Sequence, residues 1–236
     1  MRIKYLFLCM ASCMVKLSLA QEAGDNQYQG TIVNLDGTES QGVIEANLQY
    51  PWVIQKHIRF FDASLLEQED RVKLKDKPKL DAKDLLGFRF EDKVYESHKY
   101  ADLSALGPKA LGANYFFELA VDGPIKLYKF YDTPPTVMQG DPETIYTELR
   151  NNPHLYIRKG DEKIDVLSTS KLEKFISDSP EIWAKYDRGE YGNKLEDDGG
   201  KKSKLGKLIN KAMNTPSIDA YVYKVVNEYN TLMSSK

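Results

Sequence analysis

Three histidines, His57, His98 and His154, are the side chains of this chain best suited to metal binding or acid–base work. None has a second histidine or a cysteine two or four residues further on. A metal centre needs several converging ligands, so separate strands would have to bring these residues together. The plainer expectation is a set of strand or loop histidines. Gly107-Pro108-Lys109-Ala110-Leu111-Gly112 has the glycine spacing of a phosphate loop. Ala113-Asn114 follow it where such a loop carries lysine and a hydroxyl, so a turn between strands is expected instead. Acidic residues cluster at 187–190 and 196–198, without the alternating Asp/Asn ladder of a calcium loop. No Gly-x-Ser-x-Gly elbow occurs. Glycosidase carboxylates meet in space rather than in sequence, and 35 acidic residues leave that chemistry open. Catalytic residues are therefore unassigned, and no metal and no cofactor is expected.

Two further patterns bear on binding. Lys201, Lys202, Lys204, Lys207 and Lys211 surround Leu205, Leu208, Ile209, Ala212 and Met213. Lysines on one helix face and apolar residues on the other outline a basic amphipathic helix over 201–213. Such a helix makes weak contact with an anionic membrane surface or a partner, or packs on its own domain. Gly206 weakens it by about 1 kcal/mol relative to alanine. Aromatic residues are plentiful, with 15 tyrosines besides Trp52 and Trp183. Exposed on one patch they would form a platform for a sugar or peptide; spread through a sheet they fill half-buried positions.

The chain's start predicts export. Arg2 and Lys4 supply a positive beginning, residues 6–15 are mostly apolar, and Ser18-Leu19-Ala20 offers small residues for signal peptidase. Cleavage is expected before Gln21. The apolar stretch falls short of the about 20 residues that span a bilayer, and no later segment is apolar enough to do so. An alternative route exists: Met10-Ala11-Ser12-Cys13 loosely matches a lipoprotein signal, in which Cys13 would be acylated and become the new N-terminus. Both cysteines, Cys9 and Cys13, lie in this segment. Cleavage before Gln21 leaves a chain without disulfides, thiol chemistry or cysteine–zinc sites. Removing residues 1–20 takes away Arg2, Lys4 and Lys16 and no acid, which moves the formal net charge from −2 to −5. A mildly acidic body does not suit nucleic acid.

The remaining elements fall in two blocks. Residues 28–34 and 41–46 are strands around the turn Leu35-Asp36-Gly37-Thr38. Residues 51–61 read as a third strand starting no earlier than Pro51. Asp81 is expected to cap a helical turn through Leu86. A hairpin follows, with Phe88 and Phe90 before the turn at 91–93 and residues 94–100 after it. Residues 101–112 read as loop. Residues 115–121 and 125–131 form a central pair around Asp122-Gly123-Pro124, and 154–159 with 163–167 a last hairpin. Helical periodicity begins after residue 168. Ser170-Lys171-Leu172-Glu173 has the form of a capping box. Ser179-Pro180 opens a helix burying Ile182, Trp183 and Tyr186. A final helix from Thr215-Pro216 carries the stripe Ile218, Tyr221, Val222, Val225, Val226, Tyr229. The expected fold class is α+β: a signal peptide at 1–20, an antiparallel β-rich part at 21–167, either an open sheet or barrel-like, and a helical part at 168–236 packed on it.

Several phrases together resemble a known group. They are Leu85-Leu86-Gly87-Phe88, Val94-Tyr95-Glu96-Ser97, the run from Phe117 to Tyr128, Tyr156-Ile157-Arg158-Lys159-Gly160, Phe175-Ile176-Ser177-Asp178 and Val226-Asn227-Glu228-Tyr229-Asn230. Over roughly residues 28–235 the chain resembles a group of exported, uncharacterised proteins of Bacteroidota bacteria. The lysine-rich insert at 199–211 is longer than that group's usual helix junction. The shared positions are turns and core residues, so the resemblance implies architecture and carries over no catalytic residue. The expected function is that of a non-catalytic protein of the periplasm or cell surface, binding an unknown envelope partner or ligand. A hydrolase of an envelope polymer, with acids or His154 in a cleft, and a barrel-like carrier of an apolar ligand are the alternatives.

Overall fold

The computed structural model describes residues 26–61, 78–101, 112–194 and 217–235. Ten strands build one antiparallel sheet: β1 (Gln27–Asn34), β2 (Glu39–Glu45), β3 (His57–Phe61), β4 (Lys79–Asp81), β5 (Leu85–Phe90), β6 (Lys93–Tyr100), β7 (Ala113–Val121), β8 (Ile125–Phe130), β9 (His154–Lys159) and β10 (Asp165–Val166). Their order is β10-β9-β8-β7-β6-β5-β1-β2-β3-β4. Helix α1 (Pro51–Ile54) joins β2 to β3 and α2 (Pro142–Asn151) joins β8 to β9. Helices α3 (Thr169–Ile176), α4 (Pro180–Arg188) and α5 (Ile218–Ser234) follow the sheet. The fold is α+β, with a β-rich part first and three of the five described helices after the last described strand.

The sheet is rolled into a half-barrel. Gln55, just before β3, accepts a hydrogen bond from the Phe116 N–H on β7 at 2.8 Å. In the strand order β3 and β7 stand five places apart. A flat sheet would separate them by about 24 Å at about 4.8 Å per strand, so the contact requires the sheet to curl. Strand alternation then sorts the side chains. The inner face packs Ile32, Ile44, Ile58, Phe88, Phe90 and Phe116 together. Further along the same face, Val121, Ile125, Leu127, Leu155 and Ile157 meet the helices through Leu172, Phe175, Ile176, Val222, Val225 and Val226. The outer face carries an aromatic cluster of Phe117, Tyr128 and Tyr156, with half-buried Tyr100, Tyr115 and Phe130 against it. Among the described residues no helix is long and apolar enough to cross a membrane.

Two polar fastenings hold the helices to the sheet. Asn230 of α5 is buried; its Oδ1 accepts from the Ile125 N–H at 2.9 Å and its Nδ2 donates to Ile125 O at 2.7 Å and Asp122 O at 3.2 Å. The turn admits it because residue 123 is glycine. Its φ is +142°, and a Cβ there would sit 2.6 Å from the Asn230 amide. Lys159 of β9 meets Asp178 at 2.6 Å, and the Tyr229 hydroxyl of α5 donates to the same carboxylate at 3.0 Å.

Several local expectations change. The proposed third strand is split: Pro51 starts the short helix α1, as proline can in a first turn, and only His57–Phe61 is strand. Asp81 caps no helix; it ends β4, and the Asp84 N–H bonds back to its carbonyl in a tight turn. The cap of α3 is Ser168 rather than Ser170, its hydroxyl accepting from the Lys171 N–H at 3.2 Å. Trp183 is 38% exposed, whereas Ile182 and Tyr186 are buried. Helix α2 has no counterpart in the sequence reading. Asp141 caps it and Pro142 opens it, but it buries no residue, so it lacks the apolar stripe that marks a helix.

Replacing Asn230 with alanine strands the Ile125 N–H and carbonyl. We expect a loss of about 1–3 kcal/mol and a melting temperature lowered by roughly 2–4 °C per kcal/mol. Calorimetry showing no change would dismiss the clamp.

Candidate functional site

The ladder between β7 and β8 stops short of its Phe116–Tyr131 end. Strands β7 and β8 pair from Glu118–Lys129 to Val121–Leu127, but Phe116 and Tyr131 do not bond each other. Gln55 takes their place. Its main-chain oxygen serves Phe116, its side-chain Nε2 donates to Tyr131 O at 2.8 Å, and its Oε1 accepts from the Tyr131 N–H. Gln55 is 3% exposed. Wedged there, it holds the two strand ends apart and leaves a cavity of about 400 Å³ on the outer side. Tyr100 of β6, Tyr115 of β7, Phe130 of β8 and Tyr156 of β9 line its apolar part. The rings brace one another edge to face: Tyr115 on Phe130 at 5.5 Å and 89°, Tyr100 on Tyr156 at 5.1 Å and 86°. Such pairs fix ring orientation beyond what simple burial does.

The rim is polar. His154 Nε2 lies 2.8 Å from Asp132 Oδ2, with both side chains more than half exposed. Thr133 and Lys56 complete it. Asp132 and His154 bracket the excursion that carries α2, so their pair also closes its neck. The helix leans on the α1 corner, with Tyr146 against Trp52 at 5.5 Å and Arg150 donating to Gln49 Oε1 at 2.6 Å.

Beside this cavity the outer face carries a charged cluster. Alternation puts Glu96 and His98 of β6 on one side, facing Lys126 and Tyr128 of β8 and Arg158 of β9. Glu96 accepts from Lys126 at 2.6 Å, from the Tyr128 hydroxyl at 2.7 Å, and lies 3.2 Å from His98 Nε2 and 3.9 Å from Arg158. Burial opposes its charge, but the bonds from His98, Lys126 and Tyr128 outweigh that and bring the carboxyl down to about 2. Burial and then Glu96 push the Tyr128 hydroxyl up. A carboxylate this acidic and this fully engaged cannot donate a proton near neutrality. It braces three strands and, through His98 edge-on to Tyr128 at 5.1 Å, the aromatic floor. Gly87 pairs opposite Glu96, and with no side chain there a second, shallower hollow of about 490 Å³ opens over the cluster. A Cβ at Gly87 would collide with the Tyr95 carbonyl oxygen.

No protein-family model, curated protein or solved structure matches the chain. The site rests on its own geometry.

The three histidines do not converge. His57 is half-buried opposite Asp81 on β4, and burial, then Lys79, lowers its pKa. His98 belongs to the charged cluster and His154 to the cavity rim. At 187–190 the acids are engaged: Lys194 pairs with Asp187 at 3.0 Å and Arg188 with Glu190 at 2.6 Å. The segments 1–20, 196–198 and 201–213, and the glycine loop apart from Gly112, lie outside the described residues. Sequence reasoning missed Gln55, Glu96, Lys126 and Arg158. The Glu96-x-His98 and Lys126-x-Tyr128 repeats were the available signal, since residues two apart on a strand share a face.

Gln55→Leu keeps the volume but strands both polar groups of Tyr131 and leaves Phe116 paired. We expect about 2–4 kcal/mol of destabilisation from two unpaired buried groups, together with shifted ring resonances of Tyr115 and Phe130. Unchanged resonances would dismiss the wedge. Glu96 makes a second, pH-dependent forecast. Its folded carboxyl sits at about 2 against an ordinary 4.5, so its stabilisation is full above pH 4.5 and vanishes as pH falls to 2. The whole contribution is on the order of 3 kcal/mol. Urea midpoints measured across that range should fall less steeply for Glu96→Gln than for the parent.

Proposed function

We propose that this protein is an exported, non-catalytic protein of the bacterial envelope, in the periplasm or at the cell surface, that holds a ligand or partner group in the aromatic cavity. The cavity carries this reading. It lies within the about 300–1,000 Å³ of small-molecule sites, its walls are aromatic, and a few polar groups stand at its rim. The inner face of the roll, by contrast, is packed with Ile44, Ile58, Phe88 and Phe116. Export is supported by residues 1–20, with acylation at Cys13 as the alternative anchoring. The resemblance to exported Bacteroidota proteins points the same way.

A hydrolase is the second reading, favoured by the His154–Asp132 pair at the cavity mouth. A histidine oriented by a carboxylate is half of a nucleophile-activating relay. The other half is not assembled: among the described residues His154 is hydrogen-bonded to Asp132 and to no hydroxyl. An exposed pair also lacks the desolvation that makes such a relay effective.

The test is native purification from the envelope after mild crosslinking, with mass spectrometry of the N-terminus and of retained molecules. We expect a chain beginning at Gln21 with a bound ligand or partner, retained at least tenfold less by Tyr115→Ala/Phe130→Ala. Full-length chain in the cytosol would sink the export reading. Equal retention by the double variant would sink the cavity reading.

A further inference from the structure

We propose that the aromatic cavity receives an uncharged pyranose ring, one sugar unit of an envelope glycan. The inference rests on the reading that this cavity is the ligand site and names what fills it. Three observations select the class. Tyr115 and Phe130 meet at 89°, so they form a corner rather than a slot, and Tyr100 and Tyr156 repeat this at 86°. A flat aromatic ligand is best served by parallel walls. A pyranose is thick, presents C–H groups to a ring below it and turns its hydroxyls outward to a second wall.

The rim matches those hydroxyls. Each sugar hydroxyl donates one hydrogen bond and accepts others, so its site needs both kinds of group side by side. Asp132 accepts, Lys56 donates, and Thr133 and His154 can do either. The His154–Asp132 contact at 2.8 Å fixes the direction of both, so acceptor and donor are presented as a unit. Charge decides against ionic ligands. Among the described residues the rim carries one cation, Lys56, and one anion, Asp132, and so offers no net attraction to a phosphate, sulfate or uronate. Arg158 and Lys126, the cations that would suit such groups, are tied to Glu96 in the adjoining hollow. A cavity of about 400 Å³ also holds one or two sugar units, not a folded protein segment.

The exported, processed protein is titrated with neutral sugars (methyl glucoside, methyl mannoside, methyl galactoside, N-acetylglucosamine and their disaccharides), with glucuronate, with p-cresol and with a proline-rich decapeptide. Saturation-transfer NMR reads which ligand protons approach the protein. We expect a neutral sugar to bind, its ring C–H protons receiving most of the saturation. Tyr115→Ala and Phe130→Ala should each weaken it tenfold or more. Asp132→Asn, an exposed site that leaves folding intact, should weaken the sugar several-fold and spare p-cresol. If p-cresol or the peptide binds and no neutral sugar does, the cavity remains a ligand site and the sugar assignment falls. If glucuronate binds and neutral sugars do not, the charge argument falls with it. If nothing binds, both readings fall. Sugar binding indifferent to all three substitutions would place it elsewhere and overturn the proposal.

Discussion

One glutamine, just before β3, joins that side of the roll to β7 and to the chain leaving β8. Gln55 satisfies the Phe116 N–H and both main-chain groups of Tyr131, which would otherwise be buried without partners. Unpaired backbone groups in a dry environment are costly, on the order of 1–3 kcal/mol each, so the sheet cannot relax to a flatter form without exposing or orphaning them. The same contact sets the curl, stops the β7–β8 ladder and opens the cavity. Fold and site therefore share a single physical cause. The neighbouring helix α1 supports it: Trp52 and Ile54 are buried, so the wedge stands on an apolar footing rather than on a free loop.

Curling the sheet gives its two faces different tasks. The inner face must be filled, because a half-barrel with no side chains inside would be a void. Phenylalanines and branched aliphatics fill one half and the helices the other. Their burial must carry stability without disulfides, since residues 21–236 contain no cysteine. The outer face is free of that demand and can afford tyrosines, charges and hollows. Glu118 marks the boundary between the two inner cores. It is 7% exposed and accepts from the Tyr131 hydroxyl at 2.8 Å, with Lys93 at 3.3 Å and Lys129 at 3.6 Å. A buried carboxylate with a hydrogen bond and two cations is tolerated because its charge is answered locally.

Where period and turn chemistry were strong, the fold was legible. Asp36-Gly37 and Gly123 mark hairpins, with Gly37 and Gly123 at positive φ, and the α5 stripe Tyr221, Val222, Val225, Val226 and Tyr229 is buried as its spacing implies. Short elements were not. Four residues in α1 are too few to show a period, and α2, with no buried residue, has no stripe to read. The cavity was beyond reach for a different reason. Its walls come from β6, β7, β8, β9 and β10, and its geometry depends on Gln55, which no local pattern connects to Phe116 or Tyr131. Only His154 was named beforehand, as a general cleft residue, while its partner Asp132 lies 22 positions earlier.

The cavity's neighbourhood bears on how a ligand would meet it. Its floor is braced from both sides, by ring-on-ring contacts within and by the Glu96 cluster beside it, which ties β6, β8 and β9 together. Its roof side is different. Residues 133–153 leave and return through the Asp132–His154 neck, and α2 meets the α1 corner through Tyr146 and Arg150. A rigid floor loses little conformational entropy when a ligand settles on it, because the rings are already held in place. Binding strength would then come from the preset tyrosines and Phe130, and selectivity from the rim, where a single hydrogen-bonded pair presents the polar groups in a fixed order.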